Sequence, residues 1–227
     1  MMKIMGLNKL TLLDYPHKMA ATIFIGGCNF DCGFCHNFSL LSVDGDEVVS
    51  RQEVLDYLEK RKAVLEGVCF SGGEPLLNDL ESFILDIKKI KDYKIKIDTN
   101  GTSPDRLVYL INKSLVDYVA MDIKNSYNKY EKTIGTKTDF SKILDSIKII
   151  MNLSDYEFRT TLIKEYHTKE DFMQMLKMIE GAKRYTLQAY KNSQDIREKG
   201  LSPLEKNEMQ EYARLAKNFV DEVIIKD

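Results

Sequence analysis

Tryptophan is absent from the 227 residues, and cysteine (four), proline (four) and histidine (three) are scarce. No apolar run approaches the roughly 18–20 residues that a membrane-spanning helix needs. Neither sign of charge dominates: 33 Lys and Arg face 35 Asp and Glu, a net charge of −2. That balance leaves no basic footprint for nucleic acid. Four cysteines are too few for a disulfide framework in a chain of this length. The run Met1-Met2-Lys3-Ile4-Met5-Gly6-Leu7 lacks a long apolar stretch and a small-residue cleavage site, so export is not expected. A reducing cytoplasm is the expected location. Internal repeats, low-complexity segments and dividing linkers are also lacking, so residues 1–227 are expected to form one domain. Lysine clusters such as Lys88-Lys89-Ile90-Lys91 read as a solvated helix face.

What is present is ordinary globular material, 44% hydrophobic and 30% charged. Short apolar runs predict strands over 21–26, 67–71, 94–99, 118–123, 157–163 and 185–190, with a further candidate at 223–225. Amphipathic segments lie between them. Ser50-Arg51-Gln52-Glu53 spells a capping box. Ser103-Pro104 and Ser202-Pro203 each offer a cap followed by a proline. Asp139 and Thr168 precede apolar residues at helical spacing, and Met173, Met175 and Met178 read as helix and core filler. Residues 191–201 read as a surface loop. About six βα units imply parallel strands with right-handed crossovers. An open doubly wound sheet fits this rhythm. So does a barrel, although a full eight-fold barrel needs about 250 residues. The expected class is α/β, an incomplete (β/α)6 TIM-like barrel. In either arrangement the C-terminal ends of the strands carry the function.

Three of the cysteines follow the first of these strands at one such end: Cys28, Cys32 and Cys35, spaced CxxxCxxC. Several metals and cofactors use parts of this pattern. Cys32-Gly33-Phe34-Cys35-His36 also spells the haem attachment motif CxxCH, which would need export. Zinc normally takes four ligands, but Cys35 and His36 are adjacent and cannot easily face one metal together. A four-iron cluster held by three thiolates would keep one iron open to bind and activate a ligand, unlike a four-cysteine electron carrier. This third reading is favoured. Cys69 lies inside a short apolar run and reads as a buried core residue.

Other strand ends carry polar groups. The second ends in Ser71-Gly72-Gly73-Glu74-Pro75, where two glycines allow positive φ and close backbone approach. The third ends in Asp98-Thr99-Asn100-Gly101, which also spells an Asx turn. The fourth ends in Asp122-Ile123-Lys124, a pattern common in surface pairs. Arg159, inside the fifth, needs a carboxylate, a phosphate or an exit to water.

Together, Cys28/Cys32/Cys35 and Gly72-Gly73-Glu74-Pro75 resemble the signature of the radical SAM superfamily. Cys35-His36-Asn37, Asp98-Thr99-Asn100-Gly101, Asp122-Ile123-Lys124 and the strand Arg159 resemble the activating enzymes of glycyl radical enzymes. The stretch from Leu10 to Cys35, with Leu13-Asp14-Tyr15-Pro16 near its start, most resembles the anaerobic ribonucleoside-triphosphate reductase activating proteins. That group commonly has glycine where this chain has His17.

The resemblance implies a [4Fe-4S] cluster on Cys28, Cys32 and Cys35, with S-adenosylmethionine (SAM) bound at the open iron. Gly72, Gly73 and Glu74 would belong to the SAM site, with the two glycine backbones against its methionine part. Phe34 and His36 would lie against its adenosyl part. Asp98 and Asp122 match positions near a monovalent cation and the SAM carboxylate. Lys124 and Arg159 would bind that carboxylate or the ribose side, and Gln188 the nucleoside. Reductive cleavage of SAM would give a 5′-deoxyadenosyl radical, driven by a cluster whose potential can reach about −700 mV. The implied partners are a glycyl radical enzyme, in first place anaerobic ribonucleotide reductase, and a flavodoxin- or ferredoxin-type electron donor. An incomplete barrel would leave a side opening for a partner loop. Only Cys69 remains outside the triplet, too few for a second cluster. Two alternatives are a radical SAM enzyme acting on a small molecule, similar to 7-carboxy-7-deazaguanine synthase, and a non-catalytic electron carrier.

Overall fold

A computed structural model describes residues 2–40, 47–193 and 196–226. In chain order the elements are β1 (Ile4–Thr11), β2 (Ala20–Ile25), α1 (Arg51–Arg61), β3 (Gly67–Gly72), α2 (Glu81–Ile90), β4 (Lys94–Thr99), α3 (Pro104–Asn112), β5 (Tyr118–Asp122), α4 (Tyr130–Ile134), α5 (Phe140–Met151), β6 (Tyr156–Leu162), α6 (Lys169–Met178), β7 (Arg184–Ala189), α7 (Lys206–Ala216) and β8 (Glu222–Lys226). The chain divides into two compact units. The first is Met1–Asn29, Ser39–Thr99 and Asp105–Val119; the second is Phe30–Phe38, Asn100–Pro104 and Ala120–Asp227.

In the first unit β2, β3 and β4 pair in parallel, and β1 runs antiparallel along β2. Side chains alternate between the two faces of a strand. One face carries Ile23, Val68, Phe70, Ile95 and Ile97, all fully buried. Phe70 meets Phe83 of α2 edge-on at 5.7 Å. The registers Thr22↔Cys69 and Cys69↔Lys96 build a second, polar face, which Ser71 and Asp98 continue along β3 and β4. The expected capping box starts α1: Ser50 accepts from the Glu53 amide, and Glu53 returns the bond.

In the second unit β6, β7 and β8 pair in parallel, and β5 is the sheet neighbour of β6. Asp139 caps α5, and Thr168 with Asp171 forms a capping box on α6. Arg159 and Thr161 share one face of β6, and Gln188 pairs beside Thr161. β1 and β8 have one sheet neighbour each. The expected class holds: α/β, parallel, short of a full barrel. Among the described residues no helix is long and apolar enough to cross a membrane.

Two details differ from the sequence expectation. β1 was not anticipated: Gly6 interrupts it and Asn8 to Leu10 are exposed, so pairing with β2 rather than local pattern makes it a strand. The cap expected at Ser202-Pro203 is not used. Pro203 bridges Ile163, the Ser202 carbonyl accepts from the Lys164 amide at 3.0 Å, and α7 starts later with a Glu205–Glu208 capping box. Of the expected loop 191–201, residues 194–195 lie outside the described residues and the others are irregular.

Candidate active site

The first unit holds Cys28 and the glycine turn. The Gly73 amide donates to the Ile25 carbonyl and the Glu74 amide to the Gly27 carbonyl, both at 2.8 Å. These bonds stitch the end of β3 to the turn that leads into Cys28. Gly72 has φ of +111°, and a Cβ there would lie 2.4 Å from the Ile25 carbonyl oxygen. A Cβ on Gly73 would lie 1.9 Å from the Gly27 oxygen. The close approach that both glycines permit is therefore first of all to the chain's own backbone. Glu74 is fully buried and braces the same turn, accepting from the Leu76 amide at 3.1 Å and Thr99 Oγ1 at 2.9 Å. Asp98 accepts from Ser71 Oγ at 2.9 Å and pairs with the wholly buried Lys96 ammonium. The carboxylate expected beside a monovalent cation thus already faces a cation of the protein. Cys69 is fully buried as expected, and burial pushes its thiol up to about 12.

The second unit brings together most of the other expected residues. Asp122, at the end of β5, accepts from Arg159 Nε at 2.8 Å through Oδ1 and from Lys124 Nζ at 3.0 Å through Oδ2. This supplies the partner that a strand arginine requires. Burial pushes the Asp122 carboxyl up, but the Arg159 and Lys124 charges overcome it and hold the group well below the usual carboxylate range. Burial likewise opposes the Lys124 charge, but Asp122 and Cys32 outweigh it and keep Lys124 an ammonium. That ammonium also lies 5.8 Å over the ring of the buried Phe34, whose other neighbour is Tyr166 at 5.7 Å. Cys32 and Cys35 are joined by a tight turn, the Cys35 amide donating to the Cys32 carbonyl at 3.1 Å. His36 sits 6.0 Å from the Tyr190 ring; burial, then Lys124 and Lys191, lower its pKa. Gln188 accepts from Thr161 Oγ1 at a long 3.4 Å and does not join the Asp122 group by any hydrogen bond described. Asn100 forms the Asx turn read in the sequence, accepting from the Thr102 amide at 3.0 Å.

The family model described as "Radical SAM superfamily" matches residues 22–179. The chain belongs to the radical SAM superfamily. The "Putative glycyl-radical enzyme activating enzyme" of Methanocaldococcus jannaschii is 32% identical over 98% of this radical SAM chain and 95% of its own length. The pyruvate formate-lyase-activating enzyme of Clostridium pasteurianum is 30% identical over 65% of each chain. The crystal structure of QueE from Escherichia coli superposes with a TM-score of 0.56 at 15% identity, covering 99% of this chain and 94% of that one. That likeness concerns the fold alone.

Radical SAM chemistry requires a donor set that suits an iron–sulfur cluster. No disulfide joins any of the four cysteines, and Cys28, Cys32 and Cys35 are three soft donors close together in the sequence. Among the described residues no three His, Cys, Asp or Glu side chains surround one point as they would for a single ion. Three thiolates are the donor type that iron–sulfur clusters take.

Three residues of this radical SAM protein escaped the sequence reading. His167 is buried; its Nδ1 accepts from the Ile163 amide at 3.0 Å, and its Nε2–H donates to the Lys124 carbonyl at 2.9 Å. It thereby fixes the backbone that carries Lys124. Lys96 and Tyr130 are also buried beside residues of the site. Scarcity of histidine was the one signal for His167. Nothing local marks Lys96 or Tyr130, because their partners are distant in the chain.

Proposed function

We propose that this protein is an activase that generates a glycyl radical on a partner enzyme, in first place an anaerobic ribonucleotide reductase. The observation that carries the reading is the 32% identity with a glycyl-radical enzyme activating enzyme across nearly the full length of both chains. Cys28, Cys32 and Cys35 would hold the [4Fe-4S] cluster and leave one iron for SAM. Such a cluster would supply the electron for reductive cleavage of the SAM sulfonium, giving a carbon radical able to take hydrogen from a glycine Cα. The chain's own residues bind and orient.

Lys124 supports this role. An ammonium has three donor hydrogens, and among the described residues its hydrogen-bond partner is Asp122. Its remaining donors suit the SAM carboxylate, and Arg159 adds positive charge on the same side. Phe34 and His36 would flank the adenosyl part, and Gln188 would face the nucleoside. Gly72, Gly73 and Glu74 would shape the turn on which the methionine part rests. Asp98 and Asp122 would set the local charge, with any monovalent cation near them. A flavodoxin- or ferredoxin-type protein would deliver the electron, in a reducing cytoplasm.

The test is anaerobic reconstitution, reduction and addition of SAM with a candidate anaerobic ribonucleotide reductase. A glycyl radical signal in electron paramagnetic resonance, with stoichiometric 5′-deoxyadenosine, is expected. SAM cleavage with a radical on a different glycyl radical protein would redirect the partner. Intact SAM in the reduced, cluster-loaded protein would overturn the reading.

A further inference from the structure

The part of the cysteine loop that carries Cys32 and Cys35, residues 30–37, contains no helix or strand. Its internal backbone bond is the turn from the Cys35 amide to the Cys32 carbonyl, at 3.1 Å. A metal-ligand loop without a ladder of its own needs outside groups to aim its ligands. Two segments of the same compact unit supply them.

The first is the end of α4. The Asp31 amide donates to the Ile134 carbonyl at 2.8 Å, and Gly135 approaches the Asp31 carbonyl so closely that a Cβ has no room.

The second is residues 196–199. Arg197 Nη2 donates to the Asp31 carbonyl at 2.9 Å and to Asp31 Oδ1 at 2.5 Å. Its guanidinium lies 4.8 Å over the Phe38 ring. The Glu198 amide donates to the Gly33 carbonyl at 3.0 Å. The Glu198 side chain lies so close that a Cβ on Gly33 would come 2.8 Å from its own Cβ. Its carboxylate accepts from the Tyr166 hydroxyl, and the Tyr166 ring meets Phe34 edge-on at 5.7 Å. Ile196, only 1% exposed, roots the segment, and Lys199 Nζ closes it by donating to the Ile196 carbonyl at 2.8 Å.

These contacts fall on Asp31 and Gly33, either side of Cys32, and on Phe34 and Phe38, either side of Cys35. The Arg197 and Asp31 side chains are 44% and 54% exposed. Pairs that open to water add little to global stability. What they restrain is the position of the loop.

We infer that residues 196–199 are a strap, fastened chiefly by Arg197, that holds the Cys32–Cys35 turn in the shape presenting both thiolates to one cluster and so sets how firmly the cluster is retained. The inference rests on the proposed cluster-binding function. Loss of an outer partner of a metal ligand typically weakens metal binding about 10–100-fold. Arg197 is one fastening among several, which places its share near the lower figure.

The experiment uses the full chain, reconstituted anaerobically with iron and sulfide: wild type, Arg197→Met, Arg197→Lys and, as a control, Arg214→Met on the exposed side of α7. Methionine keeps an apolar stem for Phe38 but has no donor. Iron per chain, the rate of iron loss to a ferrous chelator and the urea midpoint of the apoprotein are measured. Arg197→Met should lose iron about tenfold faster than wild type. Arg197→Lys, which keeps a cation for Asp31, should fall between them, the control should match wild type, and the urea midpoints should coincide. Failure of Arg197→Met alone to load, at an unchanged urea midpoint, also supports the strap. Equal rates in wild type and Arg197→Met overturn it, as does a lysine variant no slower than the methionine one or a control as fast as either. Faster loss with a lowered urea midpoint overturns it too, because Arg197 would then hold the whole fold. If the wild type takes up no cluster, the proposed function fails and this inference with it; if the wild type loads and the rates are equal, this inference alone fails.

Discussion

Replacing Asp122 by Asn tests whether the Arg159–Asp122–Lys124 group is a structural keystone as well as a binding element. The side chains keep 26% (Asp122), 19% (Lys124) and 13% (Arg159) of their exposure, so the group is largely but not wholly shielded from water. Asn retains an oxygen for Arg159 Nε but turns an NH2 toward the Lys124 ammonium, a donor against a donor. One charge-assisted bond becomes neutral and the other is lost. Each such bond contributes about 1.5–3 kcal/mol, and breaking a fully buried pair costs about 3–5 kcal/mol. Residual solvent access places the expected loss near the lower bound, about 3 kcal/mol. With a urea slope of about 3 kcal/mol/M, the apoprotein midpoint at pH 7 falls by about 1 M.

The pH dependence of the Asp122→Asn effect adds a second check. The folded pKa of Asp122 is depressed, so its contribution is present above the unfolded value of 3.8 and is lost as pH falls through the folded one. The gap between wild type and Asp122→Asn should therefore narrow in acid. A double variant with Lys124→Met should lose less than the sum of the single variants, since it removes the stranded cation as well. A midpoint shift under about 0.3 M at pH 7, or a gap that stays constant into strong acid, would refute the reasoning.

Gly73→Ala must push the Gly27 backbone away from a Cβ only 1.9 Å from its oxygen. Urea titration should show a loss of about 2–3 kcal/mol, and reconstitution should yield less iron per chain because Cys28 follows Gly27. His17, exposed and at φ of 61°, occupies backbone that favours glycine. His17→Gly should raise the thermal midpoint by about 1–2 °C, and a fall would show that the imidazole makes a contact worth more than the strain. Burial lowers the pKa of His167, so the unfolded chain binds its proton first as pH drops below 6.5. Wild-type stability should decline from there toward the folded pKa, with a shallower decline in His167→Gln, read as urea midpoints at several pH values. An identical slope in both proteins would remove His167 from the account.

Much of this protein was legible along the chain. The cysteine spacing, Gly72-Gly73-Glu74-Pro75, the capping boxes and the alternation of apolar runs are local patterns. They located seven parallel-sheet strands, including the one near residue 223, and the loop where the thiols lie. They also required a partner for Arg159, because a charge inside an apolar strand cannot stand alone. The identity of that partner was a tertiary matter, since Asp122 and Arg159 sit on different strands and meet only through β5–β6 neighbourhood. The same holds for β1, which pairing creates, and for Ser202-Pro203, whose capping signal a bridge to Ile163 overrides.

Folding also changed the meaning of two motifs. The glycine pair looked like a place for a ligand to approach, whereas its first constraint is the carbonyls of Ile25 and Gly27. Asp98 matches a family position near a monovalent cation and the SAM carboxylate, and the fold buries Lys96 beside it. Residue types and spacings by themselves determined which chemistry the chain can carry, because thiolates, carboxylates and glycines have fixed donor properties and steric limits. Only the tertiary structure decided which of them meet and which are already satisfied by the protein. Burial and distance are properties of the folded chain.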